Sequence, residues 1–192
     1  IIGIEDYVYA PDIPGAVVNA EDWYLYLTQT RKVPPHRVEL LKDREAYATE
    51  ILRRAHEAAS EVEEGGTLWV IYIGHGAPSK DGDGLLVDVN ALQTANGIYD
   101  NSVSRSDLMD ALSTGRQSET VVVLDACFTG ATSSGSALAE GLQPVLPTDA
   151  FRGVEATILA AAFRWRGERE GVRTAVEDLR AVRHWLDLRV GE

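Results

Sequence analysis

The sequence predicts an α/β domain with a largely parallel sheet, and three observations carry that expectation. Apolar runs alternate along the chain with amphipathic segments. Two of the runs, TLWVIYI at 67–73 and TVVVL at 120–124, are continuous and β-rich, as a strand covered on both faces requires. The 192 residues fit one ordinary domain with a real core, spanning residues 1–192.

Taken in order, residues 1–4 read as a first strand. Residues 16–30 follow the breaker Pro14-Gly15 and set Val17, Ala20, Trp23, Tyr24 and Leu27 at helical spacing. A short strand is expected over 37–41, after Pro34-Pro35. A helix is expected over 45–63, with Ala48, Ile51, Leu52, Ala55, Ala59 and Val62 on one face and Gly65-Gly66 as its stop. Beyond the 67–73 strand, 85–89 forms a short hairpin arm after the turn-rich stretch 79–84. Ser104 with Asp107 resembles a capping box opening a helix to about Leu112. After the 120–124 strand, residues 131–154 are rich in Gly, Ser and Pro and predict a mobile loop with one helical turn near Ala137. Residues 155–162 give a third apolar strand. Residues 170–190 give an amphipathic helix striped by Val172, Ala175, Val176, Leu179, Val182 and Leu186.

Bulk composition narrows the function. A formal net charge of -12 argues against general nucleic-acid binding, which needs a cationic footprint, and is compatible with a basic peptide substrate. No apolar run approaches the ~20 residues that span a bilayer. The opening Ile1-Ile2-Gly3 has no initiator Met, basic n-region or small-residue cleavage site, and reads as a trimmed or processed chain. One cysteine excludes an intrachain disulfide, and a cytoplasmic compartment is the simplest expectation.

That cysteine, Cys127, stands just past one apolar strand, and His75 just past another. Ligands bind beyond the carboxyl ends of parallel strands, near a switch in strand order. If the two strands are neighbours, these side chains meet across 52 positions of sequence. An imidazole in reach takes the thiol proton and later protonates a leaving amine. The amides of Gly76 and Cys127 can face a developing oxyanion. Against this stands the common fate of a lone cysteine, an inert buried small hydrophobe.

The words around both residues resemble the caspase–metacaspase family, including its bacterial relatives. IYIGHGA (71–77) looks like the family's histidine motif, and VVVLDACFTG (121–130) like its nucleophile motif. IPGAVVNAEDW (13–23) and LLKDREAYATEI (40–51) resemble its first and second helix entries. The resemblance implies a caspase-like, doubly wound, mainly parallel sheet flanked by helices, and a cysteine endopeptidase using His75 and Cys127 on protein or peptide substrates. Caspases that cut after aspartate have Gln and Arg where this chain has Asp125 and Phe128. Asp125 is similar to the metacaspase arrangement, in which that carboxylate lines a pocket for Arg or Lys. A buried carboxylate suits a guanidinium and repels an acid; its plainer role is a strand-end carboxylate satisfied by backbone amides. A second pocket aspartate of metacaspases appears here as Asn19, so its charge is missing or supplied by Asp6 or Asp22. The family's usual second half is hard to find after Ala162, where Gly171-Val172-Arg173-Thr174 only loosely echoes its next helix start.

Weaker signals complete the reading. Asp81-Gly82-Asp83-Gly84 invites calcium activation, as in some metacaspases, but lacks the terminal bidentate Glu of a calcium loop, and a solvated turn is the favoured reading. His36, His56 and His184 have surface-like contexts, so no metal site is expected, and no organic cofactor is implied. Arg164, Trp165 and Arg166 are either a substrate-side wall or a strand end packed on a helix. Arg152 is a candidate self-cleavage point. A monomer, with an activating protein partner as an option, is expected. The rival functions are a caspase-fold pseudoenzyme serving as scaffold, against which the intact Cys and His speak, and a flavodoxin-like or receiver-type binding module, for which no Gly-rich phosphate loop or phosphoacceptor arrangement is evident.

Overall fold

Seven consecutive residues of each long apolar run pair in parallel: Thr67–Ile73 (β3) lies beside Glu119–Asp125 (β7), from Thr67 opposite Glu119 to Ile73 opposite Asp125. Around this centre the computed structural model builds a five-stranded parallel sheet in the order β2-β1-β3-β7-β8. Its other members are Ile2–Gly3 (β1), Leu41–Lys42 (β2) and Ala156–Ala161 (β8). The structure describes residues 1–130, 132, 136–142 and 156–161, all within the unit Ile1–Ala162.

Both faces of the two central strands are covered, which is why they carry no alternation of apolar and polar residues. Leu68, Val70, Tyr72, Val122 and Leu124 share an apolar cluster with Ile51, Ala55 and Ala59 of helix α2 (Ala48–Glu61) and Leu108, Ala111 and Leu112 of helix α4 (Arg105–Leu112). The alternate residues Ile71, Ile73, Val121 and Val123 are also buried. By the two-residue period of a strand they face the other side, where helix α1 (Ala16–Leu25) packs on β1 and β3. A Cβ placed on Gly3 would stand 2.5 Å from Ala20 Cβ and 3.1 Å from the Ala16 carbonyl, so α1 lies against β1 with no room for a side chain between them.

Several expected elements change their limits for physical reasons. The 16–30 helix is α-helical only to Leu25; Tyr26–Thr30 widens to a π turn closed by the Arg31 amide on the Tyr26 carbonyl (3.0 Å), while the Thr28 hydroxyl bonds the Tyr24 carbonyl (2.8 Å). The strand expected over 37–41 is confined to Leu41–Lys42, because Pro35–Arg37 forms a 3-10 turn and β1 offers only two residues to pair with. Helix α2 begins at Ala48, where Asp88 Oδ2 accepts the Ala48 amide from 40 positions away (3.0 Å). The helix opening at Ser104 is capped as expected, the Asp107 amide donating to Ser104 Oγ (2.9 Å).

The hairpin arm expected at 85–89 is strand β5, Gly84–Val87, in the middle of a separate antiparallel sheet with Gly76–Pro78 (β4) and Ser102–Ser104 (β6). A short helix, Ala95–Asp100 (α3), precedes β6. Residues 136–142 hold no helical turn at Ala137; Glu140 instead bridges to Thr94, and Leu138 and Ala139 are buried. The 170–190 helix, Arg152, Arg164, Trp165, Arg166, His184 and most of the expected 131–154 loop lie outside the described residues.

Candidate active site

The register of the two central strands puts His75 and Cys127 at equivalent positions just beyond neighbouring strand ends. Each stands two residues beyond a paired terminus, Ile73 or Asp125, and the Gly74 amide extends the ladder by donating to the Asp125 carbonyl (3.2 Å). The loops after both strands then touch backbone to backbone. A Cβ on Gly76 would fall 3.0 Å from both the carbonyl carbon and oxygen of Cys127, so glycine is what permits the approach. Because β1 is flanked by β2 on one side and β3 on the other, the winding reverses here, and the β1 and β3 ends border the crevice that such a reversal opens.

His75 is nearly enclosed, 7% exposed, and the loop following β1 grips it. Its backbone amide donates to Tyr7 Oη (2.7 Å) and the Tyr7 ring lies 4.7 Å from the imidazole, tilted by 49°. The single proton of Tyr72 Oη is shared between the His75 carbonyl (2.8 Å) and the Val87 carbonyl (2.8 Å), and the two tyrosine hydroxyls bond each other. Burial pushes both phenols well above their ordinary pKa, so they stay protonated. On the ring, Nε2 lies 2.6 Å from the Pro11 carbonyl oxygen. A carbonyl only accepts, so Nε2 carries the proton and the neutral imidazole keeps its lone pair on Nδ1. Burial lowers the His75 pKa, opposed by the Pro11 hydrogen bond and by the charge of Asp12.

Cys127 is a free, half-buried thiol, with Sγ 3.0 Å from Thr129 Oγ1. Gly130 at φ +72° turns the chain after it, and the Leu138 amide closes onto the Gly130 carbonyl (2.8 Å). Asp125, at the last paired position of β7, accepts a hydrogen bond from Asn19 Nδ2 on α1 (3.2 Å). The oxygen of that amide, Asn19 Oδ1, is buried with no hydrogen-bond partner. Of the other residues considered for charge in this region, Asp22 is half-buried one turn after Asn19 on α1. Asp6 is exposed, its amide tied to Asp43 Oδ1 (3.0 Å).

A family model for the caspase domain matches residues 1–177, nearly the whole chain. The chain belongs to the caspase-domain family. That family comprises cysteine-type peptidases, and the mainly parallel sheet flanked by helices is its fold. No curated protein matches the chain at a significant level.

The Asp81–Gly84 turn is solvated only in part: Asp81 is exposed and bonds the Ser79 hydroxyl, whereas the Asp83 side chain is 11% exposed and pairs with Arg105 (3.0 Å). His36 and His56 are exposed. Among the described residues, no helix is long and apolar enough to cross a membrane. Sequence reasoning passed over Tyr7, Tyr72, the Pro11 carbonyl and Thr129. A carbonyl leaves no trace in residue identity, and a tyrosine inside an apolar run looks like core until its hydroxyl is placed.

Proposed function

We propose that this caspase domain is an endopeptidase cutting after Arg or Lys, with Cys127 as nucleophile and His75 as general base and acid. The observation that carries the proposal is the equal register of the β3 and β7 ends, which brings the His75 and Cys127 loops into backbone contact at Gly76. His75 Nδ1, left unprotonated by the Nε2–H bond to Pro11, takes the proton from Cys127 Sγ. The thiolate adds to the scissile carbonyl carbon, aided by a hydrogen bond from the Thr129 hydroxyl. Negative charge gathers on the carbonyl oxygen, facing the amides of Gly76 and Cys127. Collapse breaks the C–N bond, and the amine leaves with the proton from Nδ1. Water, deprotonated by the same nitrogen, then hydrolyses the thioester and restores the thiol. These steps draw on no organic cofactor.

Selectivity for a basic residue rests on Asp125 and on Asn19 beside it. The Asn19 amide holds the carboxylate through Nδ2, and its unpartnered Oδ1 is a second acceptor. A guanidinium, with donors in a planar fork, suits such a pair, while an acidic side chain is repelled. Fluorogenic peptides ending in Arg, Lys, Asp or Leu test this. The Arg peptide is expected to be cleaved fastest, and Asp125→Asn to lower kcat/KM for it by about 10- to 100-fold, the scale of one charge-assisted pair, with little change for Leu. A preference for Asp would reject the pocket assignment alone. A chain that cleaves none of them would favour the scaffold reading.

A further inference from the structure

Behind the nucleophile lies a buried cation that the proposed reaction does not use. Arg105, the first residue of α4, is 5% exposed. Its Nε donates to Asp83 Oδ1 (3.0 Å), and its guanidinium carbon lies 5.2 Å from the centre of the Phe128 ring. Asp83 is itself fixed: Oδ2 accepts from the Ser106 amide (3.0 Å) and hydroxyl (2.7 Å), and Oδ1 from the Gly84 amide (2.7 Å). Phe128 directly follows Cys127, and its ring occupies space that two glycines leave open. A Cβ on Gly84 would stand 2.7 Å from Phe128 Cδ1 and 2.6 Å from Arg105 Nε, and one on Gly76 would stand 3.1 Å from the same Cδ1. The ring is therefore packed against Gly76, whose backbone also meets that of Cys127, and against Gly84 of β5.

We infer that the Asp83–Arg105 ion pair is a positioning element for Cys127, acting through Phe128. The cation is attracted to the ring face and, anchored by Asp83, holds Phe128 against Gly76 and Gly84. That contact sets where the Cys127 backbone lies relative to Gly76, and with it the spacing of sulfur, imidazole and the two amides. A small displacement among reacting groups is enough to slow a reaction markedly. The residues lie on three separate segments: the β4–β5 turn, the start of α4 and the nucleophile loop. A pair serving α4 alone would not require a guanidinium on the ring next to the nucleophile.

The inference rests on Cys127 being the nucleophile, so its test includes a readout that needs no turnover. As the only cysteine in the chain, Cys127 alone reports thiol alkylation by iodoacetamide. Arg105→Met keeps the aliphatic stem and removes the charge; Asp83→Asn keeps the cation and loosens its anchor, a second route should the first variant fold poorly. Both are measured well below their own Tm. Each is expected to lower kcat on the Arg peptide by about tenfold with KM nearly unchanged, and to shift the alkylation rate of Cys127. Arg105→Lys is expected to recover most of both. In a Phe128→Leu background, Arg105→Met should add nothing further, because the ring that transmits it is gone. Effects of Arg105→Met and Phe128→Leu that multiply, or a lowered Tm with kcat and alkylation unchanged, would overturn the inference. Should the wild type cleave no peptide, the alkylation cycle alone decides it, and the failure of the peptidase reading is seen separately.

Discussion

His75 shows how a single side chain acquires its chemistry from contacts that sequence does not display. Two tyrosine hydroxyls occupy its backbone amide and carbonyl, and Pro11 fixes its tautomer. Enclosure lowers its pKa beneath the ordinary 6.5, so the neutral form persists into mildly acidic solution. A general base must be neutral, so the acid limb of kcat/KM is expected below pH 6.5. The Asp12 charge acts the other way, raising the pKa. Asp12→Asn should therefore move the limb to still lower pH, which a pH–rate profile on the Arg peptide measures; a limb moving upward would contradict this electrostatic reading. The stability sign follows from the same shift. Because the folded pKa lies below the unfolded one, the contribution of His75 to stability is present above pH 6.5 and is lost as pH falls through the folded value.

Helix α1 combines packing on the sheet with the residue proposed to shape the specificity pocket. Trp23 and Ala20 are fully buried, and Gly3 lets the helix lie directly on β1. Asn19, on the same helix, reaches Asp125 at the end of β7. Gly3→Ala would force a methyl to within 2.5 Å of Ala20 Cβ, and α1 must move outward. Overpacking of this kind costs about 1–3 kcal/mol, which urea unfolding reads. Since Asn19 moves with the helix, the ratio of kcat/KM for Arg over Leu peptides should fall as well. A destabilised variant with an unchanged ratio would mean that α1 supports the sheet without setting specificity. The elements differ in how openly the sequence declares them. β3 and β7 are long, apolar and β-branched, so their limits were legible to within two residues. The small sheet was not: β4 and β6 are three residues each, too short to show a period, and β4 is the histidine motif's own continuation. The cap of α2 comes from Asp88, far along the chain, so the helix starts about three residues later than its local pattern predicts.

On the scale of the main sheet, topology gathers the candidate groups at one edge. The strand ends that carry His75, Cys127 and Asp125 lie together because all five strands of the main sheet run in the same direction. That much was readable from two apolar runs each followed by a reactive residue and small neighbours. What surrounds the pair was not, because the Pro11 carbonyl, the tyrosine clamp and the Arg105–Phe128 contact join residues 23 to 68 positions apart, or act through backbone atoms. The central claim is that Cys127 and His75 act as one unit, and a double-mutant cycle on peptide cleavage tests it most directly. Cys127→Ala, His75→Ala and the double variant are each expected to lose roughly 10³-fold or more in kcat, and to nearly the same floor, because removing either partner disables both. Full activity in Cys127→Ala, or a double variant that loses the product of the two single effects, would contradict the account.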